Sequence, residues 1–150
     1  MTTAFPEVRL KQFLEMRGTD GGPWANLCAL PAFWVGLLYD DDALAAASGL
    51  IGSWSFAEIE TLRADVPRSA LRTKFRGGTV QDLALEVLAM AKDGLARRAM
   101  ADGKSTDETG FLDPLFEIAQ SGATPADEFV ALYDGVWNGD VTPVFEKLSY

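Results

Sequence analysis

The sequence predicts an α+β fold in which a mostly α-helical chain follows an N-terminal strand region. Between residues 8 and 17, apolar and charged residues alternate with a period of two, which is typical of half-buried strands. From residue 25 onward, apolar residues recur at helical spacing between helix-start and helix-stop signals. The chain has 150 residues, of which 48% are hydrophobic. It is therefore long enough to form one domain with a sizeable core.

The strand region consists of two short alternating segments. Val8–Lys11 alternates apolar with basic residues, and Leu14–Arg17 alternates apolar with charged residues. Gly18 and the Gly21-Gly22-Pro23 run end the region in a loop. Because an isolated strand pair is not stable alone in water, we expect it to have sheet partners, either from another chain or from more of this one.

Six or so helices are predicted after the loop. Most are opened by a proline or a capping residue, and most end at a glycine or just before a proline. The predicted ranges are 31–39, 42–48, 55–65, 79–100, 113–122 and 124–135, followed by one or two turns at 143–148.

The composition excludes several classes of enzyme and partner. The chain has no histidine and one cysteine, so it has no Ser-His-Asp triad, no histidine zinc site, no internal disulfide and no zinc ribbon. Its formal net charge is -9. This charge argues against nucleic acid as a partner, because non-specific binding requires lysine and arginine to neutralise phosphates.

The acidic charge is concentrated towards the end of the chain. Residues 1–101 include 11 basic and 12 acidic residues, whereas residues 102–150 include 2 basic and 10 acidic residues. The near-neutral first part is therefore the better place for an anionic ligand, and we expect the acidic part to be a solvated surface.

The sequence shows no membrane or export signal. The longest apolar run, Leu27–Tyr39, contains Pro31 and Gly36 and is shorter than the ~20 residues that span a bilayer. The first nine residues have neither the basic nor the apolar region of a signal peptide. We therefore expect a cytoplasmic protein with no membrane partner.

Glu15 and Arg17 are the most informative pair for function. Residues i and i+2 of a strand point to the same face, so we expect Leu14 and Met16 to face the core and Glu15 and Arg17 to project from the other side. A carboxylate can bind Mg²⁺ and a neighbouring guanidinium can bind phosphate oxygens. The alternation alone, however, favours a solvated face. The same holds for Arg9 and Lys11, which share a face.

Two other charged segments are weaker candidates. The segment 63–76 carries five basic residues and one acidic residue. It could meet a phosphate or an acidic partner, but a basic surface loop between helices is the favoured interpretation. Asp40-Asp41-Asp42 could be a metal site. Its expected role is to cap the helix that follows, where acidic groups interact favourably with the helix dipole.

Long stretches of this sequence match a known family. They are FPEVRLK at 5–11, LEMRG at 14–18, DGGPW at 20–24, LCALPAFWVGLLYD at 27–40, FRG at 75–77, TVQDL at 79–83, ETGFL at 108–112, TPA at 124–126 and the final segment 141–150 with its closing tyrosine. Together they resemble the plant-type glutamate–cysteine ligases, which also occur in bacteria. The resemblance covers nearly the whole chain, and motifs of this length are highly specific.

The resemblance implies a fold and a domain assignment. Residues 1–150 would be the C-terminal portion of the catalytic domain, with 1–24 forming an active-site strand and loop and 25–150 helical. The fold would resemble that of glutamine synthetase, in which an antiparallel sheet forms the floor of the active site. The N-terminal strand region would belong to that sheet. The missing N-terminal part of the enzyme would then be a partner of this chain.

The resemblance also implies a reaction and roles for four residues. The family uses ATP and Mg²⁺ to join glutamate to cysteine through a γ-glutamyl phosphate, which is the first step of glutathione biosynthesis. Glu15 and Arg17 match a Glu-x-Arg strand that supplies a metal-binding carboxylate and a phosphate-binding, catalytic arginine, so for this pair the resemblance outweighs the solvated-face interpretation. Arg9 and Lys11 lie in the same matching segment and are candidate ATP-binding residues beside Arg17. The chain alone is expected to be inactive.

Two alternatives remain open. The chain could be a non-catalytic helical module that binds a separate N-terminal part or self-associates as a homodimer, since an open strand edge favours association. The same ligase chemistry could also serve ergothioneine rather than glutathione biosynthesis.

Overall fold

The computed structural model describes residues 7–19, 21–98 and 107–147. In these ranges the chain forms two small antiparallel sheets and seven α-helices, which confirms the predicted mostly helical α+β class. The elements are β1 Val8–Leu10, β2 Leu14–Met16, α1 Trp24–Leu38, α2 Asp41–Ile51, α3 Phe56–Ser69, β3 Lys74–Phe75, β4 Gly78–Thr79, α4 Val80–Arg98, α5 Asp113–Ser121, α6 Pro125–Asp134 and α7 Pro143–Lys147. Short 3₁₀ turns at Ala70–Arg72 and Glu108–Leu112 precede β3 and α5.

The centre of the fold is a close crossing of α1 and α4 at two glycines. A Cβ atom on Gly36 would lie closer than 3.0 Å to the carbonyl oxygen of Ala91, and one on Gly94 equally close to the carbonyl oxygen of Gly36. Real Cβ atoms do not approach backbone oxygens so closely, so both positions require glycine. The two backbones therefore touch directly.

A small apolar core surrounds this crossing. Leu95 and Leu112 are its largest fully buried side chains, and Ala32, Leu37 and Ala91 complete the buried cluster. Partly buried residues from α1, α4 and α5 pack against the cluster, including Phe33, Trp34, Val87, Met90, Leu115 and Phe116. Burying apolar surface in this way is the main favourable contribution to folding.

Helices α2, α3, α5 and α6 begin where the capping signals predict. The Asp40 side chain accepts a hydrogen bond from the Ala43 amide at 2.9 Å, which confirms the capping role expected for the aspartate triplet. Ser55 and Thr124 open α3 and α6 with reciprocal capping boxes, which satisfy amide groups that lack partners inside a helix. Pro114 occupies the first turn of α5, and Gly122 ends α5 in the left-handed conformation with φ +71°.

Three predicted helix boundaries are wrong, and at the first of them tertiary packing overrides the local signal. Helix α1 begins at Trp24 rather than at Pro31, and Pro31 lies inside it. Ala29 and Ala32 on either side of Pro31 are buried, so packing offsets the lost backbone hydrogen bond. Helix α2 continues past Gly49 to Ile51, and α3 continues past Pro67 to Ser69.

The hairpin β3–β4 was not predicted. Lys74 pairs with Thr79 and Phe75 with Gly78. Arg76 and Gly77 form the two-residue turn with φ values of +46° and +85°, the positive values that a tight hairpin of this kind requires. The available signal was the Gly77-Gly78 pair that follows Phe75-Arg76, but strands of two residues are too short to produce a visible alternation.

We predict that Gly36→Ala destabilises the fold by about 3 kcal/mol or more, because the added methyl group forces the α1 and α4 backbones apart. Urea unfolding followed by circular dichroism measures this loss. Gly49→Ala is the matched control. It lies within α2 with no atom within 4 Å of an added Cβ, so it should stabilise the fold by about 0.5–1 kcal/mol. A Gly36→Ala chain as stable as the unsubstituted chain would contradict the close crossing.

Candidate functional site

The N-terminal hairpin β1–β2 separates charged and apolar residues onto opposite faces. The strands are antiparallel, with Arg9 opposite Glu15 and Val8 opposite Met16. Since side chains alternate along a strand, one face presents the charged residues and is called the polar face below. Its members are Glu7, Arg9, Lys11, Glu15 and Arg17. The other face, with Val8, Leu10, Leu14 and Met16, is called the apolar face.

Glu15 lies between two arginines on the polar face. Arg9 Nε donates a hydrogen bond to Glu15 Oε2 at 2.5 Å, and Arg17 Nε lies 3.9 Å from the same oxygen. The Arg9 hydrogen bond, with the positive charges of Arg9, Lys11 and Arg17, holds the pKa of Glu15 below its ordinary value of 4.5, against partial desolvation that raises it. Glu15 is therefore ionised at neutral pH, and its charge is compensated by its cationic neighbours.

The polar face continues beyond the paired strands to Glu7. The Arg17 amide donates to the Glu7 carbonyl oxygen at 2.8 Å, which extends the strand pairing by one residue pair. The Glu7 carboxylate then forms an ion pair with Arg63 Nη2 of α3 at 2.9 Å. This contact ties the hairpin to the helical part of the chain.

The structure brings all four predicted site residues together. Arg9, Lys11, Glu15 and Arg17 share the polar face, as the alternation predicts, and the Nε atoms of Arg9 and Arg17 lie 2.5 and 3.9 Å from the same Glu15 oxygen. Cross-strand contact between Arg9 and Glu15 was not predicted, because it depends on the register of the hairpin, which the two isolated segments do not specify.

The expectation that Leu14 faces the core is wrong, and Met16 is half-buried but lies outside the buried cluster. Leu14 is 56% exposed, and its neighbours Val8 and Leu10 on the apolar face are 47% and 79% exposed. The core forms between α1, α4 and the segment that follows them, while the hairpin is attached through its polar face at Glu7 and Arg63. The apolar face therefore remains open in the described part of the chain.

The described residues do not by themselves fit Mg²⁺. Glu15 is the type of ligand that Mg²⁺ prefers, but residues 7–19, 21–98 and 107–147 contain no cluster of three or more acidic, cysteine or histidine side chains able to hold a metal ion. One carboxylate shared with Arg9 is an incomplete ligand set.

The basic segment 63–76 is used largely within the fold. Arg72 pairs with Asp127 of α6 at 2.9 Å. Arg76 donates to both carboxylate oxygens of Glu58, at 2.6 and 2.9 Å, and to Ser53. The guanidinium of Arg76 and the capping contacts of Ser55 lower the pKa of Glu58 from 4.5 to about 2. These pairs favour the interpretation of residues 72–76 as a surface connection rather than a phosphate site.

None of the helices in the described ranges is long and apolar enough to span a bilayer.

A comparison with protein families matches residues 1–147 to the glutamate–cysteine ligase family 2 (GCS2). The chain belongs to glutamate–cysteine ligase family 2. It is 53% identical over all 150 residues to a chloroplastic glutamate–cysteine ligase of Arabidopsis thaliana and 50% identical to that of Nicotiana tabacum, covering 28% of each relative. It is 51% identical to the chloroplastic glutamate–cysteine ligase A of Oryza sativa subsp. indica, covering 29% of it. This family-2 chain therefore spans less than a third of the length of the curated relatives it matches.

The expectation of a cytoplasmic protein is contradicted by these relatives, since each is named as chloroplastic. That expectation was based on the absence of a bilayer-spanning run and on the lack of a signal peptide in the first nine residues of this chain. Most of the length of each relative lies outside the matched part, so the beginning of this family-2 chain is a poor guide to where such proteins are targeted.

We predict that Arg9→Gln raises the pKa of Glu15 towards 4.5, because the hydrogen bond from Arg9 is the largest cause of its lowering. Carbon-13 NMR titration of the Glu15 carboxyl group measures the shift. Lys11→Gln removes only a through-space charge and should raise the same pKa less. An equal or larger effect of Lys11→Gln would contradict the Arg9–Glu15 contact.

We predict that Arg76→Gln flattens the acid dependence of stability. The pKa of Glu58 is about 2 in the fold against an ordinary 4.5. Its stabilising contribution is therefore complete above pH 4.5 and is lost as the pH falls towards 2. Without Arg76 the pKa of Glu58 rises and less stability is lost in this window. Denaturant unfolding at several pH values measures the slope. The control Arg68→Gln, an exposed arginine of the same segment, should leave the slope unchanged.

Proposed function

We propose that this chain is part of an ATP-dependent glutamate–cysteine ligase, which joins L-glutamate and L-cysteine to γ-glutamylcysteine through a γ-glutamyl phosphate, the first step of glutathione biosynthesis. The observation that carries the proposal is the convergence of Arg9, Glu15 and Arg17 on one face of the hairpin. This hairpin lies within a chain that is about half identical to glutamate–cysteine ligases over its full length. Residues 1–24 would supply an active-site strand and loop, and residues 25–150 the helical support.

Arg17 is proposed to act on the phosphoryl group that is transferred. Its side chain is 20% exposed, less than that of Arg9 at 42%, so its orientation is more constrained. A guanidinium held in this way stabilises the negative charge on phosphoryl oxygens through paired hydrogen bonds. Arg9 and Lys11 would bind the remaining phosphates of ATP from the same face.

Glu15 is proposed as one ligand of Mg²⁺, with the other ligands supplied from outside the described residues. When bound, the ion neutralises phosphate charge. Both contacts of Arg9 and Arg17 fall on Oε2. Because the Glu15 carboxylate lies beside these arginines, it would also lie close to the phosphates that they would bind.

The apolar face supports a second, structural role for the hairpin. Val8, Leu10 and Leu14 are each about half or more exposed, and two paired strands of three residues are marginal alone. We propose that further strands and an apolar cover from the rest of a complete ligase pack here. This proposal accounts for the open face without requiring the chain to be a catalytically complete unit.

We predict that Glu15→Gln abolishes turnover in a chimera in which this chain replaces the matched segment of the Arabidopsis thaliana relative. The substitution removes the charge needed for a metal ligand while keeping the shape of the side chain. Formation of γ-glutamylcysteine and release of ADP measure the activity. Glu117→Gln changes an exposed residue of α5. It is the control and should leave turnover nearly unchanged.

The 150-residue chain alone should release no ADP from ATP in the presence of glutamate, cysteine and Mg²⁺, because it presents an incomplete ligand set. Near-normal turnover of the Glu15→Gln chimera would contradict the assignment of Glu15. Sustained ADP release by the chain alone would contradict the proposed dependence on further parts.

A further inference from the structure

Arg63 lies on helix α3, outside the hairpin, yet its side chain reaches the polar face. Its Nη2 is 2.9 Å from Glu7 Oε1, and its Nη1 is 3.1 Å from Glu60 Oε1 on its own helix. Glu7 is the residue whose carbonyl oxygen accepts the Arg17 amide. Arg63 therefore contacts the residue that pairs with Arg17 across the hairpin, at that end of the polar face.

The charge around this end of the polar face is unusual for the molecule. The whole chain has a formal net charge of -9. Here four cationic side chains, Arg9, Lys11, Arg17 and Arg63, nevertheless outnumber the three carboxylates of Glu7, Glu15 and Glu60 with which they interact. A locally positive surface on an acidic protein attracts anions to that place, and several guanidinium groups together favour a multiply charged anion over a single carboxylate.

The partners of Arg63 are easily exchanged. The side chains of Arg63 and Glu7 are 58% and 62% exposed, and exposed ion pairs of this kind contribute little to stability. A phosphate group offers several charged oxygens that match the planar guanidinium. If Arg63 leaves Glu7 to bind such a ligand, the free energy of unfolding therefore falls only slightly.

We infer that Arg63 is a further binding residue for a polyphosphate, held ready over the polar face by Glu7 until the ligand takes its place. This inference rests on the proposed function, in which the same face binds ATP, and it adds a residue from a different element to the site. It also gives the Glu7–Arg63 ion pair a role, since Glu7 pairs with Arg17 through its backbone and holds Arg63 through its carboxylate.

Binding of inorganic pyrophosphate to the full 150-residue chain tests the inference. Isothermal titration calorimetry at low ionic strength suits the measurement, because salt screens exposed charges. Arg63→Gln should weaken binding about tenfold, the size expected for losing a charge-assisted contact, and Arg63→Lys should recover part of it. Arg68→Gln, an exposed arginine on the same helix, should change the affinity less than twofold.

The outcomes separate this inference from the proposed function. If Arg17→Gln weakens pyrophosphate binding and Arg63→Gln does not, the inference is overturned while the phosphate-binding role of the polar face stands. If neither change matters more than Arg68→Gln, or if the unsubstituted chain does not bind pyrophosphate, the inference is likewise overturned. The chimera assay of Glu15→Gln then decides the proposed function independently. Circular dichroism confirms that each variant is folded.

Discussion

The direct contact between the backbones of α1 and α4 is the constraint on which the rest of the structure depends. Gly36 and Gly94 allow this contact because neither has a Cβ atom. With the two helices so close, the core between them needs only small side chains such as Ala32 and Ala91. Leu95 and Leu112 then fill the space beside the crossing. The two glycines are thus as important to this core as its apolar side chains.

The hairpin depends on a different kind of interaction. It contacts helix α3 through the Glu7–Arg63 ion pair, and its internal order combines backbone pairing with the Arg9–Glu15 contact. Interactions between exposed charges are weak and are screened by salt. The helical core therefore carries the stability of the fold, while the hairpin carries the residues proposed to bind phosphate and keeps an apolar face available for further structure. Exposed apolar side chains elsewhere, such as Phe56 and Phe145, are consistent with a chain that spans under a third of its relatives.

The sequence predicted local structure well wherever a local signal controls it. Capping residues such as Asp40, Ser55 and Thr124 open helices as predicted, because the hydrogen bonds they make involve neighbours three residues away. The placement of Glu15 and Arg17 on one face follows from the period of a strand. Features set by distant contacts could not be predicted in the same way. Pro31 lies inside α1 because α1 packs on α4, and the open apolar face reflects where the core forms. The position of Arg63 beside the polar face depends on how α3 approaches the hairpin, which a single sequence does not reveal.

The central claim is that the polar face of the hairpin binds the phosphates of ATP in a complete ligase. A crystal structure of the chimera with a non-hydrolysable ATP analogue and Mg²⁺ would test it most directly. The account predicts that the terminal phosphate lies within hydrogen-bonding distance of the Arg17 guanidinium, about 3 Å, and that the Glu15 carboxylate contacts the metal ion. A nucleotide bound elsewhere, with Arg17 and Glu15 turned to bulk solvent, would contradict the account.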